Sequence, residues 1–153
     1  MITGQKMDLE LSTLTIGQIA ARNKACYLNA WRAVNKVDNL LYAEGVAIIP
    51  EWGYLVLEHA WCQAADGRVV EVTPIWLEHR DTIYRPGLIF TRDAFVDIGV
   101  MPVFQSDRER LWLTYMLNYQ QVNHELYSAM GFHNLLGGIQ DHIDRLTKLL
   151  NEL

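Results

Sequence analysis

The sequence is poor in cysteine and has no cluster of positive charge. Cys26 and Cys62 are its two cysteines in 153 residues, whereas a secreted disulfide-dependent domain of this size usually carries more. The formal net charge is -5, and no run of Lys or Arg occurs. Phosphate binding needs clustered cations, so nucleic acid is not a favoured partner. We therefore expect a cytoplasmic protein with reduced thiols and no nucleic-acid partner.

Long apolar runs are absent as well. Met1–Glu10 mixes polar and charged residues and lacks the apolar region of a signal peptide. No segment reaches the roughly 20 apolar residues that a transmembrane helix requires. Half of the residues are hydrophobic and a fifth are charged, which is typical of a globular protein. We expect no membrane association and one domain over residues 1–153.

The order of predicted elements is helix, sheet, helix, which indicates an α+β fold. Apolar spacing from Ile16 to Asn23 predicts a helical segment, and a second helix is predicted to start near Ala25 and to run to Val34, with Cys26 in its first turn. Short β-rich runs between turn residues predict an antiparallel sheet packed against this second helix. The predicted strands are Leu41–Ile49, Tyr54–Gln63, Arg68–Thr73 and Tyr84–Phe90.

The last third of the chain, residues 106–153, is predicted to be helical. Ser106 and Glu109 match a capping box, and this helix is predicted to run to about Met130, with Gly131 just past its end. Gly137-Gly138 is interpreted as a turn, followed by a final helix to Asn151 with a leucine-rich apolar face. A short helix is also predicted at Thr91–Ile98.

The length of one hairpin loop decides whether a histidine and a carboxylate share a face. A two-residue loop, Asp66-Gly67, would place His59 and Glu71 on opposite faces. A three-residue loop, Ala65–Gly67, makes them diagonal neighbours on one face, within hydrogen-bonding reach. We favour the longer loop because Gly67 suits the left-handed position that it requires. Glu71 then fixes the tautomer of His59 and raises the basicity of its other nitrogen.

Cys26 is the candidate nucleophile for this pair. A thiol at a helix N-terminus lies at the positive end of the helix dipole, and a nearby imidazolium stabilises its thiolate further. The backbone N–H of Tyr27 and a side-chain amide upstream are predicted to form an oxyanion hole. Gln18 is the working candidate for that amide, and Asn23 is the alternative.

Each of these residues also has a simpler interpretation. A lone cysteine is most often a small buried apolar side chain, as Cys26 would then be. His59 alone is more often a structural histidine, and Glu71 alone a solvated strand residue. Cys62 is the competing thiol, and strand parity directs it away from His59, so we predict that it belongs to the core.

Three segments carry a resemblance to a known superfamily. Lys24–Ala30 (KACYLNA) opens the predicted nucleophile helix, Glu58–Trp61 (EHAW) places His on a strand, and Val70–Trp76 (VEVTPIW) places a carboxylate on the next strand. Tyr42–Gly45 (YAEG) precedes the His strand. In order and local sequence, these segments resemble the papain-like superfamily, most of all its transglutaminase-like branch.

This resemblance covers roughly residues 18–90, and it departs from the family where Glu71 replaces the usual Asp and Val72 the usual Pro. It implies a papain-like core and a thioester at Cys26 that resolves by hydrolysis or by acyl transfer. The substrate would be a protein or an amide-containing small molecule, with no cofactor. Tyr42, Trp61 and Trp76 flank the predicted site and are candidates for a substrate cleft.

Two further interpretations concern the rest of the chain. The C-terminal helices lie outside the resemblance, so the alternative function is a non-enzymatic interaction or inhibitor protein that binds a partner, or a second copy of itself, through them. His124-Glu125 begins like a zinc-protease motif, but Ser128 stands where its second His should be. Asp141, His142 and Asp144 are interpreted as a solvated helix face, and no metal site is predicted.

Overall fold

The structure is a computed structural model that describes residues 2–97, 102–104 and 108–153. Its elements follow the order helices, sheet, helices. Two helices precede a sheet, two short antiparallel strands follow it, and two long helices close the chain. The fold class is α+β, as predicted. The helices and strands are α1 (Leu9–Gln18), α2 (Cys26–Lys36), β1 (Leu40–Ile49), β2 (Leu55–Ala64), β3 (Val69–Val70), β4 (Ile83–Phe90), β5 (Phe95–Asp97), β6 (Pro102–Phe104), α3 (Arg108–Ala129) and α4 (His133–Glu152).

The larger sheet is antiparallel, with the strand order β3-β2-β1-β4. β1 pairs with β2 along its whole length, but its register with β4 shifts between Glu44 and Gly45. A Cβ atom at Gly45 would lie 2.1 Å from the carbonyl oxygen of Arg85. Only glycine lets the two strands approach this closely at the bulge.

Helix α2 packs closely on one face of this sheet. Its inner side consists of small residues, Ala30, Ala33 and Val34, all of them buried. They contact Ala60 and Cys62 of β2, which are completely buried. Because small side chains meet across the interface, the N-terminus of α2 comes close to the strand that carries His59.

The C-terminal helices form a layer of their own. α3 packs against β4 and β1, whereas α4 packs mainly against α3. Leu146 of α4 is buried, but Leu135, Leu149 and Leu153 are each more than 40% exposed. No helix in the described part of the chain combines the length and the apolar character needed to cross a bilayer.

Several predicted boundaries are wrong. α1 ends at Gln18, so the stripe from Ile19 to Asn23 is not helical. The described part of the helix predicted at Thr91–Ile98 ends at Asp97 and holds a single 3₁₀ turn and the strand β5 in place of a helix, in keeping with the strand preference of Phe95 and Val96.

The helix–helix connection also differs from its prediction. α4 begins at His133, so Gly137 and Gly138 lie inside the helix and form no turn. Each glycine costs the helix about 1 kcal/mol, which the packing of α4 on α3 offsets. Gly131 lies just past the end of α3, as predicted, and has a left-handed conformation with φ of 80°. The capping box depends on Ser106, which lies outside the described residues.

Candidate active site

The hairpin between β2 and β3 has the predicted three-residue loop. Cys62 pairs with Val70, and the N–H of Ala64 donates to the carbonyl of Arg68 at 2.9 Å. The loop is therefore Ala65–Gly67, and Gly67 has a φ of 91°. Continued by one pair, this register sets Trp61 opposite Glu71. The prediction of the loop and of its register is confirmed.

His59 and Glu71 form a buried pair. Their atoms Nε2 and Oε2 are 2.7 Å apart, and the side chains are 1% and 0% exposed. The hydroxyl of Tyr84 also donates to Oε2 at 2.7 Å, while the backbone N–H groups of Val72 and Thr73 donate to Oε1 at 2.9 and 2.8 Å. Four hydrogen bonds thus hold this carboxylate in one orientation and compensate for its burial.

The charges around His59 outweigh the effect of its burial. Burial by itself lowers the pKa of an imidazole, because it disfavours the charged ring. The Glu71 carboxylate opposes this, and Cys26 adds to the opposition both as a hydrogen-bond partner and as a charge. The net result raises the pKa of His59 to about 9. His59 therefore holds its proton at neutral pH, between a carboxylate on one side and a sulfur on the other.

Aromatic rings shield this pair from water. The ring of Trp76 stacks on His59, with the centroids 4.0 Å apart and the planes 24° from parallel. Trp61 and Tyr84 lie behind the imidazole, with centroids at 6.1 and 6.2 Å. Exclusion of water strengthens the attraction between the charged groups.

Cys26 is the first residue of α2 and so lies in the first turn of this helix, as predicted. The cap residue Ala25 makes no side-chain hydrogen bond, and its carbonyl accepts the first helical hydrogen bond from the N–H of Asn29 at 2.8 Å. The N–H groups of Cys26 and Tyr27 precede this bond and have no helical acceptor. The partly buried thiol thus lies at the positive end of the helix dipole, beside backbone donors that have no acceptor within the helix.

Cys62 is a core residue, in agreement with its prediction. Its side chain is completely buried, and its sulfur lies 3.5 Å from the carbonyl oxygen of Ala30. Burial, and then the charge of Glu71, raise the pKa of this thiol well above its usual range. Cys62 is therefore an unreactive thiol, and Cys26 is the candidate nucleophile.

Asn29 connects the parts of the site, and the sequence reasoning missed it. Its Oδ1 accepts from the N–H of Arg22 at 2.9 Å, and its Nδ2 donates to the Arg22 carbonyl at 2.7 Å and to Oγ1 of Thr73 at 3.1 Å. This fully buried amide ties the loop before α2 to the segment after Glu71. An asparagine inside a helix is locally unfavourable. Its occurrence in the predicted helix was the sequence feature that could have indicated a tertiary role for Asn29.

The predicted substrate cleft needs correction. Tyr42 and Trp61 are both completely buried, so neither presents a surface to a substrate. Tyr42 donates its hydroxyl to the Glu44 carboxylate, and Trp61 packs edge-on against Tyr84 at 5.1 Å. Both are core residues. Trp76 is partly exposed over His59, where it forms a wall of the site.

Helix α3, which the sequence analysis did not assign to the site, also contributes to it. Tyr115 of α3 donates its hydroxyl to the carbonyl of Gly45 at 3.3 Å. Burial, followed by the charges of Glu58, Tyr27 and Glu44, raises the pKa of Tyr115 well above its usual range. α3 therefore covers the bulge and faces the side chains next to Cys26.

No family model, curated protein or solved structure matches this chain. Among the described residues, no group of three or more His, Cys, Asp or Glu side chains is arranged to hold a metal ion. The indication of chemistry at this site is the geometry of Cys26, His59 and Glu71.

Proposed function

We propose that this protein is a cysteine-dependent hydrolase or acyl transferase that acts on an amide carbonyl. The observation that carries the proposal is the position of His59, which is buried between the Glu71 carboxylate and the Cys26 side chain and has a pKa raised to about 9. A buried imidazolium beside a thiol at a helix N-terminus is the arrangement that produces a reactive thiolate.

Each residue then has one chemical role. The Cys26 thiolate attacks the carbonyl carbon and forms a C–S bond, and the carbonyl π electrons move to the oxygen. When these electrons return, the C–N bond breaks and His59 gives its proton to the leaving amine. Water or a second amine, deprotonated by His59, attacks the thioester and expels the thiolate. Glu71 accepts from Nε2 throughout and leaves Nδ1 for the sulfur and the leaving group.

The local sequence supports this assignment. The segments around Cys26, His59 and Glu71 resemble the papain-like superfamily and its transglutaminase-like branch, in which the same order of residues supports peptide hydrolysis, deamidation and acyl transfer. On this proposal the core is papain-like, the substrate is a protein or an amide-containing small molecule, and no cofactor is required. The buried Glu71 pair performs the orienting role that the family usually gives to Asp.

The alkylation of Cys26 tests the proposal. Iodoacetamide rates are measured from pH 4 to 9 in a Cys62→Ala background, so that a single thiol reports. We expect rapid alkylation well below the pH at which an ordinary thiol ionises, and loss of this low-pH reaction in His59→Ala. His142→Ala, which removes an exposed histidine of α4, is the matched control and should change nothing. Reaction only in the pH range of an ordinary thiol would refute the proposal.

One observation favours a second candidate, a non-enzymatic interaction protein. α4 leaves Leu135, Leu149 and Leu153 exposed, and apolar side chains on an outer helix are a common feature of binding surfaces. Such a function needs no reactive thiol, so Cys26→Ala would retain it. Sedimentation equilibrium of the wild type and of Leu149→Glu tests self-association through α4: a monomer in both would exclude a second copy as the partner.

A further inference from the structure

The geometry points to the side-chain amide of Asn23 as a donor of the oxyanion hole, and so as a further catalytic residue of the proposed reaction. The inference rests on the proposed function, because an oxyanion forms only if the Cys26 thiolate attacks a carbonyl. It replaces the sequence-based working assignment of Gln18.

Asn23 lies in the turn immediately before the nucleophile helix. The next residue, Lys24, has a φ of 60°, an uncommon conformation for a residue with a side chain. The preceding residue, Arg22, has both its N–H and its carbonyl bonded to the buried amide of Asn29. Asn29 therefore fixes the backbone directly before Asn23, which lies three residues ahead of Cys26.

The orientation of the Asn23 amide is determined by its partner. Its Oδ1 accepts the backbone N–H of Ile75 at 3.0 Å, and because an N–H group can only donate, the oxygen must face Ile75. Ile75 adjoins Trp76, whose ring covers His59 at 4.0 Å. This bond thus links the turn before the nucleophile helix to the segment that carries the wall over the imidazole, and no described residue accepts a hydrogen bond from Nδ2 of Asn23.

Gln18 lacks these properties. It is the last residue of α1, its side chain is exposed, and no hydrogen bond to a described residue anchors that side chain. Oxyanion stabilisation depends on donors that are oriented before the reaction begins. Both side chains are exposed, but the Asn23 amide is anchored through its oxygen and fits this requirement, whereas no described residue anchors the Gln18 amide.

The balanced step is the thiolate attack. As the C–S bond forms, the carbonyl π pair becomes a third lone pair on oxygen, and Asn23 Nδ2–H and the Tyr27 backbone N–H donate to that oxygen. As the tetrahedral intermediate collapses, the pair re-forms the C=O bond, the leaving group departs with the electrons of its bond to carbon, and the two donors are released. No oxidant, reductant or metal takes part.

Two reagents separate this role from thiolate reactivity. p-Nitrophenyl acetate acylates a thiolate through an oxyanion and releases p-nitrophenolate, whereas iodoacetamide alkylates the same thiolate without forming one. The ratio of the acylation rate to the alkylation rate is measured at fixed pH in a Cys62→Ala background, and mass spectrometry locates the acetyl group. The ratio cancels any change in the thiolate fraction.

Two substitutions separate donation from structure. Asn23→Asp keeps an oxygen for the Ile75 N–H but removes the donor, and Asn23→Ala removes both; Asn151→Asp, at an exposed site on α4, is the control. We expect the ratio to fall about 100-fold in both Asn23 variants and to stay at the wild-type value in the control. A loss in only one of the two variants overturns the inference, since loss in Ala alone is structural and loss in Asp alone is an effect of charge. An unchanged ratio in both overturns it too, while a wild type that forms no acetyl-Cys26 overturns the proposed function itself.

Discussion

Replacing Glu71 by Gln keeps the shape of the buried pair and removes its charge. In the native site, the pKa of His59 is raised from its ordinary 6.5 to about 9 although burial alone would lower it. At ~1.4 kcal/mol per pKa unit, the net preference for the charged ring is about 3 kcal/mol. Without the carboxylate, burial becomes the dominant influence, so we expect the pKa of His59 to fall below 6.5.

In Glu71→Gln, the hydrogen bonds of the new amide also favour the tautomer of His59 that is unsuited to catalysis. The Gln oxygen can still accept from the N–H groups of Val72 and Thr73, which directs its NH₂ group toward His59. Nε2 must then be unprotonated to accept, and the remaining proton moves to Nδ1, the nitrogen needed as a base. In a Ser–His–Asp triad, the corresponding replacement lowers kcat about 10⁴-fold.

The assay combines ¹⁵N NMR titration of the imidazoles with iodoacetamide kinetics at pH 6. We expect alkylation of Cys26 to slow at least ~100-fold, in proportion to the lost thiolate. Glu51→Gln is the matched control, since Glu51 lies 2.8 Å from His79 in a second Glu–His pair that is more exposed. If Glu71→Gln retains fast alkylation at pH 6, Glu71 does not maintain the charge on His59 and the reasoning fails.

Further predictions concern stability and the second thiol. Gly45→Ala should lower the free energy of unfolding in urea by about 3 kcal/mol, because its Cβ would lie 2.1 Å from a backbone oxygen; a loss below ~1 kcal/mol would contradict the bulge geometry. Asn29→Ala should cost about 3 kcal/mol in the same assay, since three hydrogen bonds of a buried amide are lost, and should slow alkylation; unchanged alkylation would refute its positioning role. Cys62→Ala should cost about 1 kcal/mol and leave the rate of alkylation per native molecule unchanged, unless this buried thiol is the reactive one. The folded pKa of His59, about 9, exceeds the ordinary 6.5, so its contribution of up to ~3 kcal/mol is present below pH 6.5 and is lost as the pH rises through 9; a pH series of urea unfolding should show this fall in the wild type and not in His59→Gln.

The part of the site that could be predicted from the sequence is the part that local geometry determines. The turn preference of Gly67 sets the hairpin register, and strand parity then brings His59 to Glu71 and directs Cys62 into the core. Cys26 at the start of α2 followed from the unbroken helical run after it. Each of these inferences involves residues that are close in sequence. The direction of their side chains is determined by the two-residue period of a strand or by the position of a helix start.

The features that were missed depend on tertiary packing. The burial of Trp61 follows from its contact with Tyr84 on a strand two positions away in the sheet. The approach of Tyr115 to the bulge at Gly45 joins residues 70 apart in the chain. No local pattern reports such contacts, and the same holds for the anchoring of Asn23 by Ile75, which singles out one amide where the sequence offered two.

The ultraviolet absorbance of the thiolate at pH 6 tests the central claim most directly. The measurement compares the Cys62→Ala protein with the same protein carrying His59→Ala, and a Cys26→Ser version supplies the baseline. The account predicts a thiolate signal close to one equivalent in the first protein and its loss in the second. Absence of the signal until the pH reaches that of an ordinary thiol would show that Cys26 and His59 form no ion pair, and would contradict the catalytic role of the site.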